Sequence, residues 1–325
     1  MQKLKNLHPL SAMALGLSLM FTAPAEAGPI SVIDDRGVVV TVEQEPKKIA
    51  AISYFAADTA LALGLQPVAS TYMIEDRNPD YLLDYLTDAK KLGQRASPNM
   101  ELLADSEPDL IVAIRRYTEG SAKQFNAVAP YLAFNLETFG DSDRSILQMG
   151  SLLGKGTEAS GLNEKFHADL AAHVEKIPEG AGPKYLFIWG GGESPWAYYN
   201  EHMTSALVTA LGGQNISGSN PTPHVPDNTA YEMSLEYMLA QNPEVIFVYD
   251  YGPDRPFENN PIWSRLDAVK NGRVHFVKDH WLESHGPIAR QMVLREAAHF
   301  LYPETFPEID VRAEATKLIP ATITN

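Results

Sequence analysis

Two stretches of this chain are built alike, and their repetition narrows what it can fold into. The first runs Glu101-Leu102-Leu103-Ala104-Asp105-Ser106-Glu107-Pro108-Asp109-Leu110-Ile111-Val112. The second runs Glu236-Tyr237-Met238-Leu239-Ala240-Gln241-Asn242-Pro243-Glu244-Val245-Ile246-Phe247-Val248. In each, a Glu opens a short apolar helix, a Pro falls seven residues later, an acid follows and a strand begins. Proline lacks an amide N–H and closes the helix. The run after it is continuously apolar, as in a parallel strand buried on both faces. A shorter echo precedes each copy: Ala60-Leu61-Ala62-Leu63-Gly64 before the first and Leu207 to Gly213 before the second. Both read as a helix ending in a Gly that can take the left-handed C-cap conformation. A helix–strand order repeated at this distance predicts two α/β lobes of one build, and excludes a short-period solenoid.

The 325 residues give room for two such lobes, and 45% hydrophobic with 21% charged residues describes a globular chain. The start reads differently. Lys3 and Lys5 form a positive n-region, Leu10 to Phe21 an apolar h-region, and Ala25-Glu26-Ala27 an A-x-A cleavage signal, so residues 1–27 are expected to be a cleaved signal peptide. The apolar run falls short of the ~20 residues a membrane-spanning helix needs. The chain has no cysteine, which excludes disulfides, thiolate zinc sites and iron–sulfur clusters, and leaves no Cys at the cleavage site to carry a lipid. Removing the leader, with Lys3, Lys5 and Glu26, makes the chain one charge more negative than its formal −15. Nucleic acid is therefore not an expected partner, since phosphate neutralisation needs clustered Lys and Arg. The expected setting is the periplasm, and the expected state a monomer.

Periodicity divides the rest into an N-terminal lobe at 28–140, a linking helix at 141–178 and a C-terminal lobe at 179–325. Ile30 to Val42 reads as a hairpin, Ile49 to Ser53 and Pro67 to Ser70 as strands, and residues 76–90 as polar with helical spacing. Asp141 to Ile177 holds no strand signal and reads as one long helix that the glycines near Gly154–Gly161 weaken and can break. The fold class is thus α/β, with two lobes, each a mainly parallel sheet flanked by helices, joined by a long rigid helix.

In open parallel sheets, ligands bind outside the carboxyl ends of the strands. The N-lobe residues expected there are Tyr54, Phe55, Tyr72, Arg115, Arg116, Tyr117 and Phe139. From the C-lobe come Trp196, Tyr198, Tyr199, Tyr249, Tyr251, His280 and Trp281. Two lobes facing each other would form an aromatic cleft with a cationic spot, suited to a bulky ligand with flat parts and some negative charge. No reaction is indicated. The Gly190-Gly191-Gly192 loop lacks the Lys of a phosphate loop, no G-x-S-x-G occurs, and no H-E-x-x-H is present. His202 and His224 are the weak metal-ligand candidates.

Taken in order, these residues carry a resemblance. Pro46-Lys47-Lys48-Ile49-Ala50, Gln66-Pro67-Val68, Asn99-Met100-Glu101 to Val112 and a long central helix come first. Leu211-Gly212-Gly213, Ser234-Leu235-Glu236 to Val248, Ala268 to Val274, Trp281 and Gly286-Pro287 follow. The pattern resembles the periplasmic binding proteins of iron–siderophore and vitamin B12 ABC importers over nearly all of the mature chain. The resemblance implies two lobes around a rigid helix and a carrier, not an enzyme. It implies that Glu101 and Glu236 dock on arginines of the permease dimer in the inner membrane, and that Arg116 faces a ferric complex, with aromatics around Trp281 and after the first strand lining the cleft. No resident cofactor is implied; the ligand would contain Fe(3+). Binders of strongly anionic complexes in this family show several cleft arginines, whereas no Arg occurs here between residues 185 and 254. That favours a hydroxamate or mixed-type siderophore. His202, His224 or His280 with a Tyr could complete the coordination of an under-coordinated iron complex. The alternative is a haem, cobalamin or metal-ion carrier of the same fold.

Overall fold

The acid after each proline is what ties the repeated stretch into its lobe. In the computed structural model, which describes residues 28–323 apart from positions 76 and 181, Asp109 accepts hydrogen bonds from the backbone N–H of Lys47 (2.8 Å) and Lys48 (2.9 Å), just before the strand at Ile49. Glu244 accepts one from the N–H of Lys184 (3.1 Å), the first residue of the C-lobe's central strand. The residue before each proline is left-handed, Glu107 at φ +46° and Asn242 at φ +47°. Gly64 and Gly212 each sit at φ +84°, a conformation that only Gly takes without strain. The expected leader, residues 1–27, lies outside the described residues.

The chain opens with the hairpin β1 (Ile30–Ile33) and β2 (Val39–Val42). The N-lobe sheet is β3 (Ile49–Ile52), β4 (Ala69–Tyr72), β5 (Lys90–Gln94), β6 (Leu110–Ile114) and β7 (Tyr131–Phe134). All its pairings are parallel, in the order β5-β4-β3-β6-β7. Its helices are α1 (Tyr54–Ala62), α2 (Met100–Asp105), α3 (Arg115–Thr118) and α4 (Ala122–Asn126). Two bridging helices follow, α5 (Phe139–Leu152) and α6 (Gly156–Val174). The C-lobe holds β8 (Lys184–Trp189), β9 (Trp196–Tyr198), α7 (Met203–Ala210), β10 (Gln214–Asn215), β11 (Ala230–Glu232), α8 (Leu235–Gln241) and β12 (Val245–Tyr249). It ends with α9 (Asp267–Lys270), β13 (Val274–Val277), α10 (Asp279–Leu282), α11 (Pro287–Leu301) and α12 (Val311–Thr316). The order is β11-β9-β8-β12-β13, with β10 also parallel to β8 and only β9 running antiparallel to its neighbours.

Four expectations need correction. Tyr54 and Phe55 open α1 and are not loop residues, because Ser53 caps the helix by accepting from Ala56 N–H (3.1 Å). The segment expected to be helical holds only a 3-10 turn at Asp80–Leu82 among its described residues, and its end enters a strand, β5. Trp196 to Tyr198 is a strand. The linking helix is two helices: Gly154, at φ +66°, ends the first and lets the chain turn into the second.

Helix α11 locks the lobes together. Ile288, Ala289 and Met292 pack into the N-lobe core, while Val293, Leu294, Ala297 and Leu301 pack into the C-lobe core. Asp58 of α1 accepts from the N–H groups of Ile288 and Ala289, both at 2.8 Å, and so caps α11. In return, Glu283 accepts from Tyr54 N–H (2.8 Å) and Phe55 N–H (3.1 Å) and caps α1. Gly286 is required here, since a Cβ would collide with the Asp58 carboxyl group. Buried Arg290 extends the lock, donating to Asp143 (2.8 Å), Asn163 (2.7 Å) and the Leu162 carbonyl (3.2 Å) while stacking on Phe166.

Asp58→Ala strands two buried N–H groups, and is expected to cost about 3 kcal/mol in urea unfolding, against about 0.5 kcal/mol or less for a surface Asp→Ala. Burial pushes the Asp58 carboxyl up to about 7, above the value of 3.8 expected for an unfolded chain. A raised folded-state pKa means that the native chain holds this proton more tightly than the unfolded chain. The associated stabilisation is full below about pH 4 and is lost as pH rises through about 7. Relative to Asp58→Asn, the wild type is therefore expected to lose stability between pH 4.5 and 7.5. A difference independent of pH contradicts the assignment.

Candidate ligand-binding site

Strand order fixes where a site can form. In the N-lobe the sheet order reverses between β3 and β6; in the C-lobe, β8 and β12 lie side by side at the centre. The crevice outside the carboxyl ends of such strands stays open, because the connections leave in opposite directions. Here the two crevices face each other and enclose a cavity of about 290 Å³. The N-lobe lines it with Met73, Gln94, Arg95, Ile114, Arg116, Tyr117 and Leu136. The C-lobe contributes Trp189, Tyr198, His202, Tyr249 and Tyr251, and the α10–α11 turn Leu282, Glu283 and His285.

The adjacent arginines at the start of α3 have different tasks. Arg115 bonds the Asn135 side chain and pairs with Glu119 (2.8 Å) and Asp227 (3.0 Å), so its charge is neutralised across the lobes. Arg116 lines the cavity, stacks over Tyr117 at 4.9 Å and has no carboxylate partner among the described residues. Arg95 also reaches the cavity, but is paired with buried Glu283. Arg116 is thus the uncompensated cation of the cleft. Burial alone would raise the Tyr117 phenol, yet Arg95 and Arg116 outweigh it and bring its pKa below the usual value. Burial raises Tyr198 well above its usual range.

Two buried histidines share the wall. The His202 ring lies 4.4 Å from that of Tyr198 and 6.4 Å from that of His285. Burial lowers both, His285 to about 4, with Arg116 adding to the effect, so both are neutral at pH 7. Nδ1 of His202 is buried and has no hydrogen-bond partner among the described residues. Behind them, burial and the neighbouring Asp227 carboxylate push Glu137 up to about 7.

Of the expected site residues, the structure brings Arg116, Tyr117, Tyr198, Tyr249 and Tyr251 together at the cavity, and His202 with them. Others lie elsewhere. Tyr54 and Tyr72 line a separate cavity beside β4 and β5. Phe55 is fully buried, edge-on to Phe134 at 5.7 Å, because the helix that starts at Tyr54 turns it into the core. Phe139 opens α5 and packs near Phe166. Tyr199 stacks on Tyr231, and Trp196 lies in a neighbouring groove. His280 and Trp281 are core residues: α10 turns both inward, where they share Glu296 as acceptor at 2.6 and 2.7 Å. His224 is exposed on the Ser217–Asn228 loop. Among the described residues, no group of three or more His, Asp or Glu is arranged to hold a metal ion.

Sequence reasoning missed Met73, Gln94, Arg95, Leu136, Trp189, Glu283 and His285. Trp189 was recoverable, since it ends a predicted strand at the carboxyl edge. Arg95 was hidden by the helical reading of the preceding segment. Glu101 and Glu236 are exposed in the first turns of α2 and α8. Each helix runs back against its sheet, so both carboxylates lie at the end of the lobe where the cleft opens.

Residues 49–280 match the family described as periplasmic binding protein. The Fe(3+) dicitrate-binding periplasmic protein FecB of Escherichia coli (strain K12) is 22% identical over 284 residues, covering 83% of this chain and 90% of FecB. The Fe(3+)-citrate-binding protein YfmC of Bacillus subtilis (strain 168) is 25% identical over 268 residues, covering 78% and 81%. The crystal structure of Staphylococcus aureus SirA complexed with staphyloferrin B shares the fold, with a TM-score of 0.68 at 23% identity over 83% of this chain and 98% of SirA.

Proposed function

The chain belongs to the periplasmic binding protein family, and on that premise we propose that it captures a ferric siderophore in the periplasm and delivers it to an ABC importer of the inner membrane. The observation that carries the reading is the aromatic cleft between the lobes with one uncompensated cation, Arg116. A bulky, flat-sided ligand suits such walls. The charge balance narrows the ligand further. Each negative charge taken into the cleft needs a partner there, and unpaired buried charge is costly. Arg95 is already held by Glu283, so the cleft matches a ferric complex of about zero to one negative charge. A ferric trihydroxamate is neutral and a mixed complex of two hydroxamates and one catecholate carries one negative charge, whereas a tris-catecholate complex carries three. The neutral rings of His202 and His285 add polar edges to this otherwise aromatic wall.

Arg116→Ala is expected to weaken binding of a ferric hydroxamate or mixed-type complex about 10- to 100-fold by calorimetry, because a charge-assisted contact in a desolvated cleft is lost. Arg115→Ala, which removes an arginine already occupied by Glu119 and Asp227, is expected to change it less than threefold. Equal effects would refute the assignment of Arg116.

Docking to the permease is assigned to Glu101 and Glu236, one per lobe, exposed and without an ion-pair partner among the described residues. Reversing both to Lys is expected to abolish siderophore-dependent iron uptake while leaving solution affinity within about twofold, since rim charges steer association. Normal uptake by the double variant would eliminate the docking role.

A further inference from the structure

The cleft continues beyond Tyr251. A second cavity of about 580 Å³ opens on the C-lobe side, and Trp189 and Tyr251 form a wall of both. Its surface is aromatic and exposed: Trp196 is 40% and Tyr251 50% accessible, and the Trp189 and Tyr251 rings meet edge-on at 5.3 Å. Large apolar rings left this open beside a cleft call for an occupant. The charge around them has one sign. Glu193, Glu232 and Asp254 line the cavity, all three are exposed, and none has a cationic or hydrogen-bonded side-chain partner among the described residues. Strand register sets Glu232 directly across from Trp196, so a ring and a carboxylate stand side by side on adjacent strands. No Lys or Arg occurs from Tyr185 to Asp254. The next cation, Arg255, is held by Asp250 at 3.1 Å and stacks on Phe276 at 4.1 Å.

The two walls of the cleft therefore differ in polarity. The N-lobe wall presents Arg116, while the C-lobe annex presents indole and phenol faces ringed by carboxylates. An aromatic face and a carboxylate together recognise an organic cation, the face through its quadrupole and the carboxylate through its charge. An anionic or uncharged arm would gain nothing from the carboxylates.

We propose that the groove formed by Trp189, Trp196 and Tyr251, with Glu193, Glu232 and Asp254, binds a protonated amine arm of the ligand whose ferric head sits at Arg116. This deepens the siderophore reading and rests on it: the cargo is a ferric complex with an ammonium-bearing tail.

The test compares a linear ferric trihydroxamate that ends in a primary amine with the same complex N-acetylated, each titrated against the mature protein by tryptophan fluorescence. The amine form is expected to bind about five- to tenfold more tightly. That ratio is expected to fall toward one in the Glu193→Gln/Glu232→Gln/Asp254→Asn variant, and to shrink for the wild type as salt is raised. Equal affinities in the wild type, or a ratio unchanged in the variant, overturn the annex. If neither ferric complex binds, the hydroxamate form of the siderophore reading fails, and the annex is judged by its own probe. Millimolar 1,5-diaminopentane should then shift tryptophan emission in the wild type and not in Trp196→Ala; silence in the wild type overturns the annex too.

Discussion

The architecture depends on a reciprocal cap between two helices that belong to different lobes. Asp58, one turn into α1, satisfies the first N–H groups of α11, and Glu283, just ahead of α11, satisfies those of α1. Helix N-termini leave backbone donors unpaired, and burying them without partners is costly. Each lobe thus supplies what the other lacks. The lock fixes the position of the α10–α11 turn, which carries Glu283 and His285 into the cleft. Glu283 also holds Arg95, so the residue that joins the lobes neutralises one cation of the cleft.

The cleft's polarity follows from the same arrangement. Arg77 reaches from the N-lobe to Asp279 (2.5 Å) and the Tyr249 hydroxyl (2.9 Å), Arg95 to Glu283 and Arg115 to Asp227. Three arginines of the N-lobe are consumed by acids of the C-lobe, and Arg116 is left to face the cavity. Of the four N-lobe arginines Arg77, Arg95, Arg115 and Arg116, three are taken up in joining the lobes. The walls are then set by Tyr117, Tyr198, Tyr249 and Trp189, with two neutral histidines beside them.

Much of this frame was legible in the chain. The repeated Glu–Pro–acid–strand stretch predicted two like lobes, and its acids proved to bond the strand beside them. Apolar continuity marked β3, β6, β8 and β12, because parallel central strands are buried on both faces. The edge strands were opaque. β5 reads Lys-Lys-Leu-Gly-Gln, with one large apolar residue, Gly93 at φ +88°, and a register shift against β4, so no period-2 pattern survives. Losing β5 concealed Arg95. Trp281 and His280 were misplaced for a different reason: their acceptor, Glu296, lies on the following helix, and no local signal announces a buried partner. Only the family resemblance favoured Arg116 over Arg115; the residues alone do not separate them, since the separation comes from Asp227, more than a hundred residues away.

The central claim is that the cleft holds an iron complex of low negative charge. Tryptophan-fluorescence titration of the purified protein tests it most directly, because Trp189 lines the cavity. The panel would be ferric hydroxamates, ferric tris-catecholates, ferric citrate and haem, each iron complex paired with its iron-free form. The account predicts saturable quenching by a ferric hydroxamate or mixed-type siderophore, weaker response to the tris-catecholate, and none from the iron-free ligands. Tighter binding of the tris-catecholate or of haem, or no response to any ferric siderophore, would contradict it.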